Sequence, residues 1–248
     1  PQMKDASEVA SAAIRKYPDV NFFALVPNLR GAQNAVEAGL KEVTPVMSLS
    51  VSHNLANVKR THEQSIDEIR QIREQFPQLK ITQDIATAFA CPFEGEMSVD
   101  ALLHLLEKLE ALGIHAFTLC DTVGMAYPTQ IETVLAAVKR EFPQSEFNIH
   151  IHDTRNMGIL NSYVGIACGA DSVQAAVGGL GGCPFAPGAS GNTSSEDLVY
   201  MLNRCGYDTG IDFDRLLTTA KYAKTVIEGN FSGHHICISE HPCVVTQE

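Results

Sequence analysis

The sequence predicts a (β/α)8 barrel, on three observations. Short β-type runs alternate with amphipathic helical stretches along the chain, the pattern of βα units around a parallel sheet. Polar and glycine residues gather just after those runs, at Asn28, Ser52-His53-Asn54, Glu94, Asp121, His152, Cys183 and Asn192, which is where a barrel carries its chemistry. The G-x-G-x-x-G turn that opens a dinucleotide-binding sheet is absent after the first run. The chain has 248 residues, and single α/β barrels reach ~250.

The runs fall, in order, at Asn21–Val26, Glu42–Ser48, Lys80–Ala86, His115–Cys120, Phe147–Ile151 and Ser172–Ala175. The helical stretches that follow them are Gly31–Ala38, Thr61–Gln75, Val99–Leu112, Pro128–Phe142, Gly158–Cys168 and Ser194–Cys205. The stretch from Asp100 to Gly113 carries an apolar stripe closed by a glycine, as amphipathic helices do. Glu196 and Asp197, after Ser194-Ser195, put acidic residues in the first turn of the last helix. Six units can be counted, so about two of the barrel's eight are expected upstream of Pro1. Residues 1–229 are assigned to the barrel domain and 230–248 to a tail, expected to be free.

Composition narrows the function. Lys and Arg number 18 against 29 Asp and Glu, a net charge of −11. Such a chain is a poor partner for nucleic acid or an anionic membrane surface, and no apolar run approaches the ~20 residues of a membrane span. The seven cysteines are scattered and odd in number, which does not read as a disulfide framework and points to a reducing compartment.

The sharpest motif is His150-Ile151-His152-Asp153. Residues two apart on a strand project to one face, so both imidazoles point the same way at a strand end. They suit a divalent cation, or equally a polar barrel interior; two ligands do not complete a coordination shell. The stretch from Val177 to Asn192 is rich in glycine and must be a long loop, the usual form of a lid, with Cys183 among small neighbours near its tip. Asp121 ends a run, where a base, an acid or a helix cap would serve. Glu94 sits in another rim loop. The tail carries His234, His235, Cys237, His241 and Cys243, whose H-x-C-x3-H-x-C spacing hints at metal but matches no standard finger.

Taken together, VGGLGGCPFAPGASGN (177–192), followed by Ser195 to Leu202, resembles the signature of the 3-hydroxy-3-methylglutaryl-CoA lyase family. The resemblance extends in order through Pro27-Asn-Leu-Arg-Gly31, Cys91-Pro-Phe-Glu-Gly95, Cys120-Asp-Thr-Val-Gly124 and His150-Ile-His-Asp-Thr154, to about Gly229. It implies a (β/α)8 barrel that cleaves a 3-hydroxyacyl-CoA by a retro-Claisen reaction, giving acetyl-CoA and, from the family's name substrate, acetoacetate. It implies a divalent cation, Mg2+ or Mn2+, held by His150, His152 and Asn192. Cys183 becomes the catalytic lid thiol and Asp121 a catalytic carboxylate. Asn57, Thr118 and Glu196 become substrate-binding positions. The family context further implies a homo-oligomer, a dimer, acting in leucine degradation and ketone-body metabolism. The compartment is then the cytoplasm, or the mitochondrial matrix in a eukaryote with any targeting segment upstream of Pro1.

Three features depart from the family pattern. The family's first strand supplies an Arg and a metal-ligand Asp, and its second a Glu; this chain begins after both. Residues 53–60 and 154–157 differ from the family, which bears on acyl specificity. The tail lacks a basic residue for the CoA phosphates. The rival readings are a condensing synthase of the same group, joining acetyl-CoA to a keto acid, and an inactive truncated barrel.

Overall fold

The computed structural model describes residues 3–186 and 188–238. The chain runs α1 (Ala6–Lys16), β1 (Phe23–Val26), α2 (Leu29–Glu37), β2 (Glu42–Ser48), α3 (Val51–Val58), α4 (His62–Gln75), β3 (Lys80–Ile81), β4 (Gln83–Ala86) and a small hairpin, β5 (Ala90–Cys91) with β6 (Gly95–Glu96). It continues through α5 (Val99–Glu110), β7 (Ala116–Asp121), α6 (Pro128–Glu141), β8 (Glu146–Ile151), α7 (Gly158–Ala167), β9 (Ser172–Gln174), α8 (Ser195–Arg204) and α9 (Phe213–Val226). The strands lie in the order β1-β2-β4-β7-β8-β9, with β3 on the lower part of β2. Every pairing along that path is parallel. The six expected runs thus form one arc of a barrel, with β1 and β9 at its two ends.

Helix starts follow local chemistry. Asn28, Ser50, Thr61, Ser98 and Ser194 each accept a backbone N–H of the first turn, and Thr61 with Gln64 closes a full capping box. Such caps are worth about 1 kcal/mol each. Several elements were not visible in the pattern, among them α1, the β5–β6 hairpin, α3 and α9. α3 is polar and short, set between the Ser50 cap and Lys59, whose φ of 57° ends it in the left-handed region. α9 buries only Ala220, so it carries no broad apolar stripe.

The apolar core lies between the sheet and its helices. Val43, Met47, Ile85, Phe117, Leu119, Phe147 and Ile149 face outward, against Ile69, Ile72, Leu102, Leu106, Leu109, Ile131 and Leu135. Phe117 and Phe147 stack at 5.6 Å. Burying each such side chain contributes about 1.5–3 kcal/mol. Strand alternation then sends the intervening residues into the lumen, and these are mostly polar: Thr44, Asp84, Thr118, Asn148, His150 and Gln174.

The tail is not free as far as it is described. Asp197 accepts the backbone N–H groups of His234 and His235, at 2.7 and 2.9 Å. The His235 ring packs 4.4 Å from Tyr200, and Phe231 covers Gly178. A cap-and-stack clasp therefore holds residues 231–237 against the root of the glycine-rich loop. His241 and Cys243 lie outside the described residues. Among the described residues, no helix is long and apolar enough to cross a membrane.

Candidate active site

A cleft of about 400 Å3 opens at the C-terminal ends of β2, β4, β7, β8 and β9. His150 and His152 reach it from β8 and its continuation, and Cys183 and Phe185 from the glycine-rich loop. Asn57 lines its outer wall. Thr87, just past β4, has φ of 55°, a costly conformation for a β-branched residue of the kind that collects at functional sites. It is held there by hydrogen bonds to Thr122 and Ser50.

The two imidazoles converge. Their Nε2 atoms stand 3.2 Å apart. Two bonds of about 2.1 Å at right angles would set neighbouring ligand nitrogens ~3.0 Å apart. Burial lowers the pKa of His152 to about 4, aided by the neighbouring His150. Burial also lowers that of His150, with the nearby Gln174 and Asn192 side chains pulling the other way. Both rings are therefore neutral near pH 7 and have lone pairs to give. Asn192 joins them through a bridge between its backbone and that of His152. Its Nδ2 donates to the Leu180 carbonyl at 2.9 Å, which leaves Oδ1 buried and without a partner. Two imidazole nitrogens and an orphaned amide oxygen form a donor set that fits a divalent cation. Among the described residues, no three or more His, Cys, Asp and Glu side chains gather closely enough to hold a metal by themselves.

Loop geometry sets the lid. Gly191, at φ 92°, lies so close to Gly181 that a Cβ would collide with the Gly181 carbonyl oxygen. The two arms of the loop cross there, which carries Cys183 back over the cleft. Across the rim, Glu94 accepts from the Ser50 hydroxyl at 2.8 Å and from the Ser52 backbone and hydroxyl. That ties the β5–β6 hairpin to the start of α3, a fastening role for Glu94.

Four expected site residues are not among those that line the cleft: Asn192, which lies behind His152, and Asp121, Glu196 and Thr118. Asp121 is fully buried, and its two oxygens accept the backbone N–H groups of Met125 and Ala126. Burial raises its pKa to about 6 against those bonds. It shapes the turn that follows β7. Glu196 is buried with Oε2 on the Gly178 N–H at 2.9 Å, fixing the lid's root. Thr118 is buried in the lumen below the histidines, where its hydroxyl accepts from Gln174.

The cleft also contains groups to which no role was assigned. His53 Nδ1 pairs with the Ser48 hydroxyl at 2.7 Å, and its Nε2 is buried and unpartnered. Asp84 has Oδ1 buried without a partner, and burial raises its pKa to about 7. Gln174 accepts at His150 Nδ1, at 3.1 Å. The signal for Asp84 and Gln174 was strand parity: each stands an even number of residues from a rim position on its own strand.

A parallel barrel sheet, with imidazoles and a thiol-bearing lid at the C-terminal ends of its strands, defines a β/α-barrel protein of the active-site-lid type. Residues 1–222 match the family model described as HMGL-like, and the chain belongs to that family. It is 37% identical over 224 residues to hydroxymethylglutaryl-CoA lyase YngG of Bacillus subtilis, covering 90% of this chain and 75% of the relative. It is 36% identical, with the same coverage, to the mitochondrial hydroxymethylglutaryl-CoA lyase of Gallus gallus. A solved HMG-CoA lyase from A. baumannii, in complex with coenzyme A and 3-methylmalate, superposes with a TM-score of 0.86 at 38% identity. That match covers 96% of this chain and 80% of the other. Carboxyl transferase structures of pyruvate carboxylase, 16% identical, share the fold.

Proposed function

We propose that this chain is a hydroxymethylglutaryl-CoA lyase, cleaving 3-hydroxy-3-methylglutaryl-CoA to acetyl-CoA and acetoacetate. The observation that carries the reading is that the lid thiol of Cys183 and the imidazole pair of His150 and His152 line one cleft. The relatives bear that activity in their names, and one of them was solved with coenzyme A.

His150, His152 and Asn192 would hold a Mg2+ or Mn2+ ion. When bound, the ion supplies Lewis-acid stabilisation to the substrate's hydroxyl and carboxylate oxygens. The chain's own residues supply the rest. The hydroxyl proton passes to solvent at the cleft mouth, which later returns a proton to the Cys183 thiolate; the hydroxyl carbon becomes the ketone of acetoacetate, and the electrons of the broken C–C bond pass to the thioester enolate. Cys183 Sγ–H protonates that carbon, giving acetyl-CoA. The closed lid keeps water from the enolate. Asn57, on the outer wall, contacts the acyl-CoA arm. Thr118 and Glu196 serve binding from behind, one under His150 and the other at the lid's root. Asp121 acts through the turn it braces, which packs on the Thr154 side chain and the His152 carbonyl. We assign the protein to the cytoplasm or mitochondrial matrix, as a dimer.

The test offers 3-hydroxy-3-methylglutaryl-CoA with Mg2+ or Mn2+ in one arm, and acetyl-CoA with keto acids in another. Products are followed by mass spectrometry. Metal-dependent appearance of acetyl-CoA and acetoacetate is expected, and chelator should stop it. Condensation without cleavage would make the protein a synthase.

A further inference from the structure

The imidazole of His53 is 1% exposed and forms part of the cleft wall, and the proposed reaction does not use it. Its Nδ1 pairs with the Ser48 hydroxyl at the end of β2, at 2.7 Å. Nε2, on the far side of the ring, is buried without a partner. The rings packed beside it, Phe185 at 4.3 Å and Phe93 at 6.2 Å, carry no acceptor oxygen. A buried polar group without a partner is costly, so its partner belongs to whatever fills the cleft.

Counting hydrogens places the ring proton. Among the described residues, the Ser48 hydroxyl has one side-chain partner, His53 Nδ1. When the hydroxyl donates there, the neutral imidazole carries its proton on Nε2, and one donor is left unmet. The reverse assignment leaves both the hydroxyl hydrogen and the Nε2 lone pair unmet. Networks of this kind decide the tautomer, and this one favours an N–H at Nε2.

Position names the acceptor. His53 and Asn57 stand four residues apart on α3, hence on one face of the helix, and both line the cleft. Asn57 is the contact for the acyl-CoA arm in the proposed reaction. Cys183 delivers its proton to the acetyl carbon, and Phe185, two residues on, rests against the His53 ring. The substrate group between those two points is the thioester carbonyl. Its oxygen is a weak acceptor in the substrate and a charged one in the enolate. A donor held there therefore binds the transition state more tightly than the ground state.

We propose that His53 is a catalytic residue whose Nε2–H donates to the thioester oxygen as it becomes the enolate oxygen, with Ser48 holding the ring in place. When Cys183 protonates the neighbouring carbon, the charge on the oxygen returns to the carbonyl bond, and no proton leaves His53. The inference rests on the lyase reading and adds to it the group that meets the developing charge.

The test compares wild type with His53→Phe, which keeps a ring for Phe185 to pack on and has no N–H. Calorimetry measures the binding of acetyl-CoA and of S-ethyl-CoA, in which a methylene replaces the thioester carbonyl. The wild type should prefer acetyl-CoA by about 2–12-fold, the range of one hydrogen bond, and His53→Phe should bind the two alike. His53→Gln, whose amide N–H reaches toward the same place, should keep part of the preference. With 3-hydroxy-3-methylglutaryl-CoA and Mg2+, kcat of His53→Phe should fall roughly 10–100-fold, as for a lost hydrogen bond to a charged oxygen, with a much smaller change in KM. If His53→Phe does not fold, the wild-type comparison still decides, because equal affinities for the two CoA compounds would overturn the proposal. A preference that survives in His53→Phe would overturn it too. A preference lost without a fall in kcat would reduce the contact to binding and overturn the catalytic role. A preference that depends on His53 in a wild type that cleaves no hydroxyacyl-CoA would support the thioester contact and overturn the lyase reading instead.

Discussion

The Phe185 ring, two residues past Cys183, lies 4.3 Å from the ring of His53, at the start of α3. Phe93 meets Phe185 edge-on at 5.8 Å, so the lid docks on an aromatic pair contributed by two other rim segments. His53 is neutral there, since burial lowers its pKa against the pull of Glu94. The contact is therefore one of packing rather than charge.

Removing that dock should loosen the lid without touching the imidazole pair. An aromatic contact of this kind contributes ~0.5–1.5 kcal/mol, so Phe185→Ala should raise the open population by roughly 2–12-fold. The rate of iodoacetamide modification at Cys183, followed on its own peptide by mass spectrometry, should rise by that factor. An unchanged rate would mean that the lid closes on its glycine crossing alone.

Cys183→Ser tests the proton donor. Proton transfer to the enolate occurs only in the transition state, so kcat should fall and KM should stay close to wild type. General acid catalysis by one positioned group contributes about 10²–10⁴-fold. Turnover within a factor of two of wild type would leave the thiol a bystander.

The clasp at Asp197 predicts a stability effect away from the cleft. Burial works against its ionisation, yet the N–H groups of His234 and His235 hold its carboxyl below the ordinary range. Asp197→Ala leaves those donors without an acceptor and should cost about 1–3 kcal/mol. Hydrogen exchange should quicken across residues 231–237 and, through Phe231 and Ser232, at Gly178 and Gly179. Exchange confined to the tail would show that the clasp does not support the lid's root.

What could be read from the sequence divides along physical lines. β2 appears over its full expected span, Glu42–Ser48, because an apolar run between turn residues is a local signal. His150 and His152 were readable for the same reason: a spacing of two on a strand fixes a shared face. Asp121 was legible as a strand-end carboxylate and Glu196 as an acidic residue in a helix's first turn, but neither local signature says what the carboxylate contacts. Their partners, the N–H groups of Met125 and Ala126 for one and of Gly178 for the other, come from parts of the chain that the local pattern does not reach. His53 stood out only as one polar residue of a rim segment and Asp84 only by strand parity, because a polar residue inside a strand or short helix reads as a surface residue until the sheet curls and gives it an interior. The docked tail was hidden because Asp197 and His234 lie 37 residues apart.

Asp84 provides a pH test of that interior. Burial raises its pKa to about 7 from an ordinary value of 3.8, with the Thr118 hydrogen bond acting in the opposite direction. The folded protein therefore keeps this proton to a higher pH than the unfolded chain does. The group contributes stability at low pH, and that contribution is lost as pH rises from about 4 to about 7. Asp84→Asn has nearly the same shape and cannot ionise. Near pH 4 its melting temperature should lie close to wild type. The variant should then gain steadily over wild type to about pH 7 and hold a constant lead above pH 8, of roughly 5–10 °C. His152, whose pKa is lowered to about 4, acts in the other sense: its contribution is present above pH 6.5 and is lost as pH falls toward 4. It is common to both proteins and cancels in the difference. Melting curves from pH 4 to 9 that differ by a constant amount would mean that Asp84 is solvated in the folded state, and that the lumen is wetter than its lining implies.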